Sequence, residues 1–113
     1  MHPWQPIEFE EQLATITRKS FEKPQLIFKH SIRCGTSAAA LYELTDVAEH
    51  LAKHMELHYL DLINHRPLSN RIANEYQVPH QSPQAIVLDK GKVVYAASHL
   101  AIDAEQILAS AQS

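Results

Sequence analysis

A lone thiol cannot close an intramolecular disulfide, and this chain has only one cysteine, Cys34. Any disulfide chemistry at Cys34 therefore needs a sulfur from another molecule. Cys34 follows the apolar run Leu26-Ile27-Phe28 and precedes a helical pattern that opens at Gly35. The thiolate, not the thiol, is the nucleophile, and a helix N-terminus offers partial positive charge and free N–H donors. Lys29 and Arg33 add cationic charge close by in sequence. Lowering a thiol pKa from about 8.5 to about 7 raises the thiolate fraction at neutral pH roughly ten-fold. Lower basicity offsets part of that gain. The plainer alternative is that Cys34 is a small buried hydrophobe, as free cysteines often are.

Two neighbouring features favour reactivity. Ser37 stands where a dithiol enzyme carries its second cysteine, so Cys34-Gly35-Thr36-Ser37 is a Cys-x-x-Cys with a hydroxyl in the resolving position. Ser82-Pro83 precedes a strand pattern, where a cis-proline would lie beside an active thiol. An ordinary proline at a strand start is the competing reading. His30 leads into the cysteine segment and either stabilises a thiolate or satisfies backbone groups there. His80 and Gln84 fall on the same side of the pattern and, with Lys29, are candidates to face a ligand.

Eight histidines are many for 113 residues. His50, His54 and His58 recur every four residues, but His58 falls in a strand pattern and no carboxylate or cysteine completes a ligand set. A solvated helix face is the simpler reading, and no metal site is expected.

The elements that must position Cys34 read as α, β, α, β, α, β, β, α. A first amphipathic helix spans Ile7 to Thr17. Gln25–Lys29 reads as a strand buried on both faces. Leu41, Leu44, Ala48 and Leu51 share a helical face with Ser37, with Thr45-Asp46 as a possible break. Glu56–Ile63 is a second strand, and Pro67–Tyr76 a helix with proline in its first turn. Gln84–Leu88 and Val93–Ala97 form a hairpin around Asp89–Lys92. Asp103 caps a last helix that runs through Ala109. The first two strands, joined through a helix, should be parallel. The expected fold is a single α/β domain over 1–113. It has a mixed four-stranded sheet with helices on both faces and an N-terminal helix, which is a thioredoxin-like layout.

Hydrophobic residues are 45% of the chain, charged residues 20% and the net charge −3. That is a globular composition with no electrostatic case for nucleic acid. No apolar run approaches the length of a membrane span. A single cysteine and a start without signal-peptide character lead us to expect a reducing, cytoplasmic setting.

The motifs together resemble a known family. Ile27-Phe28-Lys29-His30-Ser31, Arg33-Cys34 and Ser37, then Arg66-Pro67-Leu68-Ser69-Asn70, Val78, His80, Ser82-Pro83-Gln84 and Gly91-Lys92-Val93-Val94, with the late Ser98-His99, closely resemble the YtxJ-like monothiol bacilliredoxins. The resemblance implies a thioredoxin-like fold, no permanently bound cofactor, and bacillithiol as co-substrate. Cys34 would attack mixed disulfides between client proteins and that small thiol. Two departures stand out: Gly35 where the family usually has proline, and Leu100-Ala101 where Trp-Asp is common. Cys-Gly-Thr-Ser also resembles the Cys-Gly-Phe-Ser of monothiol glutaredoxins, which carry iron–sulfur clusters. The late Gly-Gly and acidic pair of that family are missing here, where Ala96-Ala97-Ser98-His99 stand. A non-catalytic docking module is the third reading.

Overall fold

A computed structural model describes residues 3–30 and 42–111. Cys34, Arg33, Gly35 and Ser37 lie outside the described residues, as do Ser31 and Leu41.

Five strands form one sheet in the order β1-β3-β2-β4-β5: β1 (Trp4–Pro6), β2 (Gln25–His30), β3 (Glu56–Asp61), β4 (Gln84–Asp89) and β5 (Lys92–Ser98). β2 pairs in parallel with β3 and antiparallel with β4, which pairs antiparallel with β5. The sheet is mixed as expected, but it has five strands rather than four. The additional strand is β1, parallel to β3 from Trp4↔Leu57 to Pro6↔Tyr59. Its three residues, two of them flanked by proline, carry no alternation that sequence reading could register. α1 is correspondingly shorter at its start than expected, Glu11–Lys19, because Ile7 is the buried link that leaves β1. β3 also stops at Asp61, short of Ile63, where the Asp61 carboxylate accepts from the Ile63 N–H and the chain turns away.

The sheet buries both faces. α1 and α4 (Arg66–Tyr76) cover one, packing Leu13, Ile16, Leu68 and Ile72 on Ile27, Leu60, Ile86 and Leu88. The other face packs Leu26, Phe28, Leu57 and Val87 against Leu44, Ala48, Leu51 and Ile107. Those four come from a helix over residues 42–46 (α2), from α3 (Ala48–Leu51) and from α5 (Ala104–Ala111). The expected Thr45-Asp46 break falls at Val47, whose φ of −113° and ψ of 10° end α2 before α3 begins. Leu44, Ala48 and Leu51 nevertheless share one buried face, as their spacing requires. All six residues of β2 are buried, because helices cover both sides of a central strand.

Two details fix the sheet ends. The β4–β5 turn places Lys90 (φ 54°) and Gly91 (φ 77°) in the left-handed region that two-residue hairpins need. The end of α1 holds this turn: Lys90 N–H donates to Ser20 O at 2.8 Å and Gly91 N–H to Ser20 Oγ at 2.9 Å. Asp103 caps α5 as expected, its Oδ1 accepting from the N–H groups of Glu105 and Gln106 at 2.8 and 3.2 Å.

Candidate functional site

The end of the sheet where β2 stops is the end that delivers the chain to Cys34. Lys29 and Gln84 are cross-strand partners there, so their side chains share the face covered by α1 and α4. α4 supplies Arg66 and Ser69 from its first turn. Gln77, in the left-handed region at φ 56°, turns the chain out of α4, and Val78 N–H donates back to Ala73 O at 3.1 Å. That turn carries His80 over Ser69. The following Ser82–Pro83 peptide is cis. His99 (φ 53°) braces this loop from β5: its N–H donates to Pro83 O at 3.1 Å, and its ring lies 3.1 Å from Gln81 Oε1.

Lys29, read from the sequence as a source of nearby positive charge, is fully buried. Its ammonium donates to Ser69 O at 3.3 Å and to His80 Nδ1 at 3.4 Å. Burial, together with the Arg66 guanidinium, lowers its pKa to about 8. His80 is also held below its ordinary value, by burial first and then by Lys29 and Arg66. A charged ammonium can only donate, so His80 Nδ1 must accept from it and the ring proton sits on Nε2. Ser69 Oγ, 3.0 Å from the same Nδ1, completes the contact.

Gln84 is buried as well; its amide donates to Pro79 O at 3.0 Å, and among the described residues its Oε1 has no partner. Ser82 Oγ is a second buried polar atom without a partner. His30 is buried and stacked between Phe28 and Tyr59, with ring centroids 6.0 and 5.8 Å away. It thus faces the side of the sheet opposite Lys29 and Gln84.

The structure therefore brings together Lys29, His80, Ser82, Pro83 and Gln84 of the expected residues. It adds Ser69 and Arg66, which sequence reading quoted within a motif but gave no role. The i, i+3 spacing of Arg66 and Ser69, which sets both on one helix face, was the available signal.

The histidine series divides as the strand pattern suggested. His50 lies exposed in α3, with the His54 ring 5.5 Å away. His58 departs from the solvated-face reading. It is buried in β3, its Nε2 lying 2.7 Å from Gln25 Oε1. Burial lowers its pKa to about 4. Among the described residues, no three metal-ligating side chains converge.

The sequence profile of monothiol bacilliredoxin BrxC matches residues 5–107. This chain belongs to the monothiol bacilliredoxin family. A solved structure provisionally described as an oxidoreductase with a thioredoxin fold is 28% identical, with a TM-score of 0.82 over 98% of this chain and 95% of the other. Thioredoxin f from spinach chloroplast is 18% identical, with a TM-score of 0.75 over 99% and 96%. The thioredoxin of Malassezia sympodialis is 14% identical, with a TM-score of 0.74 over 99% and 90%. These last two establish the fold. Family and fold together make this a thiol-redox protein. Among the described residues, no helix is long and apolar enough to cross a membrane.

Proposed function

We propose that this bacilliredoxin removes bacillithiol from protein mixed disulfides through Cys34. The observation that carries the reading is family membership over residues 5–107, which include the single cysteine. The fold supports it: a solved oxidoreductase-like structure with a thioredoxin fold superposes on 98% of the chain.

In the first step the Cys34 thiolate attacks the bacillithiol sulfur of the mixed disulfide. The old S–S bond breaks, the client departs as a thiolate that takes up a proton, and a Cys34–bacillithiol disulfide forms. In the second step the thiolate of another bacillithiol attacks the bacillithiol sulfur carried on Cys34. This releases bacillithiol disulfide and regenerates Cys34. The incoming thiol provides the reducing electrons, so one protein cysteine suffices. The cycle needs a pool of reduced thiol, which fits a cytoplasmic setting.

The test is to incubate the protein with a bacillithiolated client and follow intact mass. A bacillithiol adduct on Cys34 together with reduced client is expected; client reduction without that adduct, or neither product, overturns the proposal.

A further inference from the structure

The Lys29 amine is a buried nucleophile that thiol exchange at Cys34 does not use. Among the described residues no carboxylate pairs with it: the ion pairs present join Lys19 to Glu56, and Arg71 to Glu10 and Glu75. Asp61 is the cross-strand partner of His30, so it belongs to the opposite face of the sheet. α1 contributes the apolar Leu13 and Ile16 to the layer over the Lys29 face. The charge that acts on Lys29 is that of Arg66, from α4. An unpaired buried ammonium is costly, and loss of its proton relieves that cost. With a pKa of about 8, roughly a tenth of this amine is neutral at pH 7, against less than about a thousandth of an ordinary lysine. The hydrogen bonds suit the neutral form. A neutral amine has two N–H donors and one lone pair. Ser69 O at 3.3 Å and His80 Nδ1 at 3.4 Å accept the two donors, which leaves the lone pair for an electrophile. Ser82 Oγ, at the same end of the sheet, is a buried hydroxyl with no partner among the described residues. The cluster therefore combines a neutral buried amine, a neighbouring guanidinium and a spare hydroxyl, and it lacks an anion.

We propose that Lys29 is a carboxylation site, where its amine adds carbon dioxide to form a carbamate held by the Arg66 guanidinium and the Ser82 hydroxyl. The Nζ lone pair attacks the carbon of CO2 and a C–N bond forms. One C=O electron pair moves onto its oxygen, and Nζ releases a proton to solvent. No oxidant or reductant takes part. Lys29 has no exposed surface, so a bulky electrophile is excluded, while CO2 is triatomic, uncharged and apolar. The product carries its own carboxylate into the cluster, where charge-assisted hydrogen bonds from a guanidinium are strong. Its remaining N–H stays on Ser69 O, and His80 Nδ1 keeps Ser69 Oγ, 3.0 Å away, as its donor. A buried cation is thereby exchanged for a buried anion with donors around it. The exposed Lys53, Lys90 and Lys92 lack both a neutral amine near pH 7 and this surround, so they should stay unmodified.

The probe is carbon-13-labelled CO2 with its bicarbonate, added to the full chain at constant pH and ionic strength. Carbon NMR follows the carbamate resonance, and alkylation of the native protein with triethyloxonium, then peptide mass mapping, locates the trapped ester. A single saturable carbamate on Lys29 is expected, with no label on Lys53, Lys90 or Lys92. Arg66→Gln and Ser82→Ala should each weaken CO2 uptake about ten-fold. Lys29→Met should abolish the resonance; if that variant fails to fold, the mapped position and the Arg66 and Ser82 variants decide. CO2 should also raise the thermal midpoint of the native chain and leave that of Lys29→Met unchanged, because only the folded site holds the carbamate. Absence of a carbamate resonance at saturating CO2 overturns the site. Equal labelling of Lys29 and the exposed lysines overturns it too, as does uptake that ignores both the Arg66 and the Ser82 substitution. The site does not depend on Cys34, so adduct formation on that cysteine is measured separately and neither result decides the other.

Discussion

Where β2 begins, Gln25, Glu56 and His58 form a polar cluster in which both ends of the Gln25 amide and both Glu56 oxygens are answered. The Gln25 amide donates to Glu56 Oε2 at 3.0 Å and to Lys23 O at 2.9 Å, so its Oε1 is left to accept from His58 Nε2–H at 2.7 Å. Glu56 Oε1 accepts from Lys19 and Gln5 at 3.4 Å each. Burial raises the Glu56 pKa, but these donors outweigh it and hold the carboxyl below its usual range. Where β2 stops, on the same face, Lys29, Ser69, His80 and Gln84 combine, among the described residues, a buried cation without a carboxylate and an acceptor without a donor. The contrast teaches which end is built for stability. A closed cluster stabilises the fold, and a buried amine without a carboxylate among the described residues costs it.

The largest effect should come from acidifying the closed end. His58 titrates near 4 when folded against about 6.5 unfolded. Stability is thus fully present above about pH 6.5 and is lost as pH falls toward 4, by about 3 kcal/mol in all. Urea titrations across that range measure it, and His58→Phe should flatten the profile. Next, Gln25→Leu strands His58 Nε2–H and one Glu56 oxygen together, costing about 2 kcal/mol. Adduct formation on Cys34 should be unchanged.

The open end should respond to substitution with the opposite sign, while its pH slope has the same sign in a higher window. The Lys29 pKa is depressed to about 8, so the unfolded chain binds more protons between about pH 8 and 10.4. Stability should rise with pH through that window. Lys29→Met should remove the slope and stabilise the chain at pH 7 by about 1 kcal/mol, after its lost hydrogen bonds are counted. A destabilised Lys29→Met would erase the contrast between the two ends. The smallest expected change is Gln84→Leu, within about 0.5 kcal/mol, because removing a buried acceptor with no partner among the described residues offsets the lost amide bond to Pro79 O. Thermal melts at fixed pH follow the Gln25, Lys29 and Gln84 substitutions.

Much of this was legible in the sequence because the elements obey their periods. Leu68 and Ile72 are buried at helical spacing, Gln25–His30 is covered on both faces, and Asp103 caps α5. β1 was not legible, since three residues that include a proline depend on β3 for their conformation. The Ser82–Pro83 position was readable as a candidate, while its isomer is set by the surrounding fold. The site was only half visible. Lys29 was legible as positive charge on a buried strand, while its partners Ser69 and His80 follow from which face of β2 meets α4. The partnerless Gln84 Oε1 could not be read at all, because satisfaction depends on contacts between distant segments.

The apolar layer of Ile27, Leu60 and Ile86 lies between those two clusters. It spans four residues of β2, roughly 13 Å. This slab of hydrocarbon keeps the two clusters from sharing a contact: among the described residues no hydrogen bond joins the His58–Gln25 group to the Lys29–His80 group. Mutation can then revise one end without retuning the other. A lineage could alter the residues around Lys29 and inherit the foundation around Gln25 intact.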